Sequence, residues 1–399
     1  MHHRILACFV IALSMIGGSL PNAFASTGDP EAGNVRFFKR TDSGFDRYTS
    51  SGDPDFQAWM RAKFFRSEVW SPYFDDKTSW YPQGLVSQNL YAIYLDDHQT
   101  IASHPDWILR DADGAPLYIP WGCSDGTCPQ YAGDVGSPAF RRAWIERARA
   151  ILERGYRGLW IDDVNMEFRV GDGTGRWRAP TDRRTGVAMT AEDWRRYVAE
   201  FVEEIRLALP GVDLLHNTIW FAVQPVRTDD RYVQRQIAAA DRINLERGVN
   251  DRGLTGGTGQ WSLQAFLSYI DAVHAVGRTI VLDAFDDTPQ GREYNLAAYF
   301  LVSRSGDGVG LATITPETWW EMYDAQLGAP QGERRTWKGL LRRDFERGVA
   351  LVNEPGAPSR TVDLGRPFVD SAGHMTSSIT LAGGQGAVLR RAGGPMRGA

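Results

Sequence analysis

Polar and ionisable residues recur at the ends of short apolar runs in this chain. Asp96 and Asp97 close one run, Asp162 and Asp163 a second, His216 and Asn217 a third, Glu246 a fourth and Asp283 a fifth, with Asp286 and Asp287 just beyond. A buried carboxylate is costly unless it is paired or used, so several at strand ends require an account. Two carboxylates in one cleft push their pKa values apart, which lets one donate a proton while the other attacks or activates water. Cleavage of a glycosidic bond needs that division of labour. Asp162 is read as nucleophile or base, Glu246 as acid, and Asp283 as a third participant. Asp96, Asp163, His216, Asn217 and Asp286 are candidate substrate contacts. Each has a plainer reading: an aspartate at a strand end commonly caps a helix, Glu246 is followed by Arg247 as a ready ion-pair partner, and His216 could be a satisfied packing residue.

For these residues to converge, the runs must be strands of one sheet. The candidates are VRFFK from Val35, EVWSPYF from Glu68, YAIYLD from Tyr91, GLWID from Gly158, DLLHN from Asp213, RINLE from Arg242, TIVLD from Thr279 and GVGLAT from Gly308. Amphipathic helices separate them. One begins at Ser137-Pro138, carries Phe140, Trp144, Ala148 and Ile151, and ends at Gly155. A second begins at Thr190 with Glu192 and Asp193 in its first turn, carries Trp194, Val198, Phe201 and Ile205, and stops at Pro210-Gly211. A third runs from Ser262 through Phe266, Ile270 and Val273 to Gly277. Strand and helix in alternation mean parallel pairing. Eight units in one domain predict an α/β fold, a (β/α)8 TIM barrel over residues 26–335 whose strand ends build the site; an open doubly wound sheet is the competing arrangement. From 336 to 391 short strands between turns predict a small C-terminal antiparallel β domain of sandwich type, followed by a disordered tail over 392–399.

Composition narrows the partners. The net charge is −5, or −6 once a leader carrying Arg4 is lost, which argues against nucleic acid or an anionic membrane surface as the partner. Residues 1–25 read as a secretion signal: an apolar run from Ile5 to Ile16, Gly17-Gly18, then Ala23-Phe24-Ala25. That run is too short to cross a bilayer, so a secreted or periplasmic location is expected. Of three cysteines, Cys123 and Cys128 flank Ser-Asp-Gly-Thr and read as a local disulfide. There are 14 tryptophans and 14 tyrosines, enough to stack on sugar rings. Trp70, Trp80, Tyr81, Trp107, Trp121 and Trp220 are candidates for that role, with Trp70, Trp121 and Trp220 foremost, whereas Trp144 and Trp194 lie on helix stripes and belong to the core. The stretches GDGTG from Gly171 and GLTGGTG from Gly253 do not join a strand to a helix as a nucleotide fingerprint requires, and no Gly-x-Ser-x-Gly, P-loop or HExxH occurs. No cofactor is called for, and no feature fixes an oligomeric state.

The segments HPDWILRDADGAPLYIPWG from His104 and VGSPAFRRAWIERARAILERGYRGLWIDDVN from Val135 resemble hypothetical glycosyl hydrolase family fifteen, a group similar to the endo-α-1,4-polygalactosaminidase family. WKGLLRRDFERGVALVNEP from Trp337 resembles the junction between barrel and β domain in such enzymes. The resemblance spans about Val35 to Leu389. It implies a TIM-barrel glycosidase in which Asp162 matches the strand-four catalytic aspartate. Several sister families end strand five in a glutamate, whereas this chain has His216-Asn217 there. The expected activity is metal-independent cleavage of a bacterial exopolysaccharide or cell-wall polysaccharide. A metal-dependent deacetylase using Asp162, Asp163, His98, His104 or His216, and an inert glycan-binding barrel, are the alternatives.

Overall fold

A computed structural model describes residues 29–40, 42–220, 228–250 and 254–393. The expected secretion signal, Gly253 of the second glycine-rich stretch and residues 394–399 of the expected tail lie outside the described residues. Eight parallel strands close a barrel, each paired with its neighbours in sequence. They are β1 (Phe37–Arg40), β2 (Phe64–Val69), β3 (Gly84–Asn89), β4 (Gly158–Asp162), β5 (Asp213–Thr218), β6 (Arg242–Leu245), β7 (Thr279–Ala284) and β8 (Gly308–Leu311). Six long helices follow the alternation: α1 (Pro54–Lys63), α2 (Pro138–Leu152), α3 (Ala191–Ala208), α4 (Arg231–Ala239), α5 (Leu263–Ala275) and α6 (Pro289–Val302). The expected caps form. Ser137 accepts from the Phe140 N–H, Thr190 and Asp193 make a reciprocal capping box, and Ser262 accepts from the Ala265 N–H.

Two strands differ from their predicted places. β2 ends near Glu68 instead of starting there, because α1 runs into the extended residue Phe64 with no intervening turn to mark the junction. β3 is Gly84–Asn89, which is polar over its second half. The more apolar run after Tyr91 instead forms a hairpin strand, Ala92–Tyr94, against Gln130–Ala132. Asp96 and Asp97 therefore close no barrel strand; Asp97 caps the short helix His98–Ser103. Between β2 and β3 a single 3₁₀ turn, Asp75–Lys77, stands where a helix would lie. Phe56, Phe74, Trp80 and Tyr81 cover that part of the wall, with ring centroids 6.1 to 6.4 Å apart.

Side-chain alternation sets the barrel's layers. Phe38, Leu85, Trp160, Leu215 and Val281 fill its centre. Below them, Arg66 and Arg242 both bond Asp213. Among the described residues, β8 is followed by two short 3₁₀ turns, Pro316–Thr318 and Glu321–Asp324, instead of an α-helix. A six-stranded antiparallel sheet takes that place, in the order β9 (Arg335–Trp337), β10 (Leu340–Phe345), β11 (Gly348–Val352), β14 (Gly386–Arg390), β12 (Arg360–Val369), β13 (Met375–Leu381). A single pair, Val369 with Arg390, joins β12 to β14. Leu341, Phe345, Ala350, Val352 and Val388 join the barrel's core, while Leu340, Val349, Leu351, Val362, Phe368 and Leu389 belong to a second cluster. Arg343 reaches across to donate to the carbonyls of Phe300 (3.2 Å) and Ser303 (2.9 Å), at the end of α6.

The barrel closes tightly where β4 begins. A Cβ at Gly158 would stand 1.9 Å from the Asp213 carbonyl oxygen, so the two strands tolerate only glycine there. Gly158→Ala should destabilise the protein by about 1–3 kcal/mol through this overpacking, read as an earlier urea transition. An unchanged transition would mean that β4 and β5 can separate at no cost.

Candidate active site

Inward-facing residues one layer above the central apolar plug converge at the C-terminal ends of the strands. β1 brings Arg40, β2 Glu68, β3 Ser87 and Asn89, β4 Asp162, β5 Asn217, β6 Asn244 with Glu246 just past its end, and β7 Asp283. The ladder aligns them: Arg40 pairs with Glu68, Asn89 with Asp162, Asn217 with Asn244, and Asp283 with Gly310. A Cβ at Gly310 would lie 2.9 Å from Asp283 Oδ1, so β8 contributes space instead of a side chain.

Asn217 is the centre of the arrangement. Its Nδ2 donates to Asp162 Oδ1 at 2.8 Å and to Glu246 Oε2 at 2.9 Å. Its own Oδ1 accepts from Asn244 Nδ2 at 2.6 Å, which fixes which way the amide faces. Both carboxylate contacts end on one nitrogen, so these two oxygens lie no farther apart than the two distances laid end to end, about 5.7 Å. Asp162 Oδ1 also accepts from the Asp163 N–H at 2.8 Å, and Asp163 sits in the left-handed region with φ 56°. Asp163 turns away to Asn89 Nδ2 (2.7 Å) and Asn165 Nδ2 (3.1 Å), with Arg169 at 3.5 Å.

The opposite wall is an ion-pair cluster. Arg40 Nη1 lies 3.2 Å from Asp283 Oδ2, and its Nε is 3.5 Å from Glu68 Oε2. Ser87 donates to Glu68 Oε1 at 2.9 Å. Burial raises the Asp162 carboxyl above the usual range, the Glu246 charge adds to that, and the Asn217 bond opposes it. Burial likewise raises Asp283 against the pull of Arg40. Asp163 rises through burial and the neighbouring Asp162 charge. Burial pushes Glu68 up to about 7, in spite of Arg40. One guanidinium thus serves more carboxylates than it can neutralise.

The structure brings Asp162, Asp163, Asn217, Glu246 and Asp283 together, and it sends other candidates elsewhere. His216 follows Leu215 in the alternation and faces outward. It is fully buried, its Nδ1 lies 3.0 Å from Gln236 of α4, and burial lowers its pKa to about 3. It is a packing residue behind the wall. Trp220 is 2% exposed and packs on Phe266 and Tyr269 of α5, so it is core and offers no sugar platform. Trp80, Tyr81 and Trp107 are likewise taken up in packing: Trp107 lies flat on His104, ring centroids 3.8 Å apart. Asp286 is an exposed residue that accepts from the Thr288 N–H at the start of α6, and Asp96 is exposed on the loop after the Ala92–Tyr94 hairpin strand. Trp70 and Trp121 remain exposed, and Cys123 and Cys128 are bonded. Trp144 and Trp194 are buried as expected; Trp144 Nε1 donates to the Asn89 carbonyl and Trp194 Nε1 to that of Asn165, so both brace the mouth from behind.

Sequence reasoning missed Arg40, Glu68, Asn89, Asn244 and Tyr94. Glu68 and Asn89 were hidden by the displaced strands, because each lies at or near a strand's end only when β2 and β3 are placed correctly. Tyr94 stands close enough to Asp162 for that charge, after burial, to raise its hydroxyl pKa. Among the described residues, no group of three or more His, Cys, Asp or Glu is placed to hold a metal ion.

The family model described as hypothetical glycosyl hydrolase family 15 matches residues 73–349. No curated protein matches the chain. Among solved structures the chain is similar to the glycoside hydrolase domain of PelA from Pseudomonas aeruginosa, with 14% identity over 70% of this chain and 94% of that one and a TM-score of 0.40. It is also similar to a GH31 dextranase from Flavobacterium johnsoniae (12% identity, 94% of this chain, 53% of that one, TM-score 0.45) and to an α-amylase from Geobacillus thermoleovorans (10%, 90% and 98%, TM-score 0.48).

Glu68 provides a stability test that needs no substrate. Its ordinary pKa is 4.5 and its folded value about 7, so between these the folded chain keeps a proton that the unfolded chain has released. Stability from this group therefore falls as pH rises through that window. Glu68→Gln preserves the shape and removes the titration. Melting temperatures of the native protein should fall more steeply across the window than those of the variant; parallel curves would show that Glu68 ionises normally.

Proposed function

This chain belongs to hypothetical glycosyl hydrolase family 15, and we propose that it is a glycosidase whose working pair is Asp162 and Glu246. The observation that carries this reading is the single Asn217 amide holding both carboxylates. Asp162 receives two N–H donors, which oppose the rise that burial imposes on its carboxyl, and is assigned as the nucleophile. Glu246 receives one from Asn217 and is the acid that protonates the departing glycosidic oxygen. A separation of at most about 5.7 Å between the bonded oxygens leaves little room for a water between the pair. It fits a retaining mechanism, for which carboxyl groups stand roughly 5–5.5 Å apart against roughly 6.5–9.5 Å in inverting enzymes. Asp162 would then attack the anomeric carbon as the C–O bond breaks, and water activated by Glu246 would release the sugar with its original configuration. Asp283, locked to Arg40, sets the local charge.

The substrate is a bacterial exopolysaccharide or cell-wall polysaccharide met outside the cytoplasm. The leader-like sequence before Ala25 and the Cys123–Cys128 bond support an oxidising compartment. Among the described residues no helix is long and apolar enough to cross a membrane. The chemistry is proposed to proceed without a metal. A deacetylase reading needs histidine ligands beside Asp162, yet His216 faces Gln236 and His104 lies on Trp107.

Reducing-end release from a panel of bacterial exopolysaccharides, including galactosamine-rich and α-glucan polymers, tests the proposal. Wild type should act with or without chelator, while Asp162→Asn and Glu246→Gln should each lose about 10³-fold or more in rate. The first-formed anomer should retain the substrate's configuration by NMR. Loss of reducing-end release with chelator would overturn the metal-independent mechanism, chelator-sensitive release of acetate without new reducing ends would revive the deacetylase, and binding without release from any polymer would favour an inert glycan-binding barrel.

A further inference from the structure

The exposed aromatic side chains are not scattered over the surface. Among the described residues they are Trp70, Tyr94, Trp121, Trp177 and Phe285. Each follows the C-terminal end of a barrel strand: Trp70 after β2, Tyr94 and Trp121 after β3, Trp177 after β4 and Phe285 after β7. All therefore stand on the face that holds the carboxylates. Aromatic side chains are enriched at binding surfaces relative to the rest of a protein's surface.

Trp121 and Trp177 are the most deliberately mounted. They are 67% and 46% exposed, yet their loops are held from several directions. Tyr118 and Gly171 exchange two backbone hydrogen bonds of 2.9 Å each, tying the β3 loop to the β4 loop. A Cβ at Gly173 would meet the Gly126 carbonyl oxygen at 2.1 Å, so the two turns touch backbone to backbone. The Cys123–Cys128 bond staples the first turn two residues after Trp121. Asp172 holds the second by accepting from the Thr174 N–H, the Thr174 hydroxyl and Arg178 Nε. The glycine-rich GDGTG stretch thus serves as the hinge-free turn that presents Trp177. Continuity with the mouth runs through Arg169, beside Asp163, and through Tyr131, whose ring stacks on Tyr118 at 4.8 Å while its neighbour Gln130 pairs with Tyr94.

We infer that Trp121 and Trp177, on these interlocked and stapled loops, form a rigid stacking platform for sugar residues of a polysaccharide chain that extends away from the bond cut at the mouth. The occupant is a glycan because the rings are separate flat faces among polar turns, suited to the C–H faces of pyranose rings, and because their loops connect to the carboxylate mouth through Arg169 and Tyr131. Rigid mounting lowers the ordering cost of each contact. Phe285, just past the end of β7 and across the ring from β3, is also exposed, with the Arg247 guanidinium 5.6 Å from its ring centroid. The cut itself rests on the glycosidase reading above; the platform does not.

Affinity electrophoresis through gels containing dextran or a galactosamine-rich exopolysaccharide reads the platform without catalysis. Wild type should be retarded by at least one polymer, Trp121→Ala and Trp177→Ala should each lose about five- to ten-fold in affinity, and Trp177→Phe should recover most of it. On a polymer that is hydrolysed, both alanine variants should raise KM by the same factor while kcat/KM on its two- and three-residue fragments stays within about two-fold. Near-UV circular dichroism and the melting temperature confirm that the variants fold. No retardation of wild type by either polymer, undiminished retardation of both variants, or an equal loss on polymer and fragments would overturn the inference. Retardation lost in the variants of a protein that hydrolyses nothing would leave the platform standing and remove the glycosidase reading.

Discussion

Gathering Glu68, Asp162, Asp163, Glu246 and Asp283 at one end of a barrel sets like charges against each other in a partly dry space, and much of the surrounding structure answers that strain. Arg40 takes Asp283 and Glu68. Asn89 and Arg169 take Asp163. Asn217, neutral and doubly donating, takes Asp162 and Glu246 without cancelling the charge of either. A lysine or arginine at position 217 would add a positive charge between the two carboxylates. An amide holds the geometry without adding that charge.

That arrangement depends on the barrel's layers. The apolar plug of Phe38, Leu85, Trp160, Leu215 and Val281 sits directly beneath the mouth and fixes the height at which each polar residue emerges. Trp144 and Trp194 brace β3 and the loop after β4 from outside by donating to the carbonyls of Asn89 and Asn165. Where helices are missing, other elements supply the same support. An aromatic cluster stands behind β2 and β3, and the C-terminal sheet packs on α6 and extends the core beyond β8. The interior therefore stays continuous, and the face that holds the carboxylates is left to the loops.

Those loops are long after β3 and β4, and they are bound to each other rather than loose. Backbone contacts between the Gly171–Gly173 turn and the stapled Cys123–Cys128 turn hold two exposed tryptophans at set positions. The residues gathered at the mouth are buried and polar, whereas those proposed to hold a long ligand are exposed and apolar. β3 and β4 contribute to both, with Asn89 and Asp162 at the mouth and Trp121 and Trp177 on the loops that follow.

Much of this was legible in sequence where local chemistry dominates. Caps at Ser137, Thr190 and Ser262, the strand-like runs from Gly158 onward and the pairing of Cys123 with Cys128 depend on neighbours a few residues away, and each forms as the local pattern dictates. Asp162, Glu246 and Asp283 were recognisable because strand periodicity carries them to one end of a parallel barrel. Placement of β2 and β3 failed because a helix passed into a strand without a turn, and because a polar strand was less conspicuous than the hairpin beside it. The directions of His216 and Trp220, the bridge made by Asn217 and the cluster around Arg40 were decided by the tertiary structure alone. Which face a strand residue takes, and which distant side chain it meets there, follows from barrel closure and register, and these are set by contacts between residues far apart in the chain.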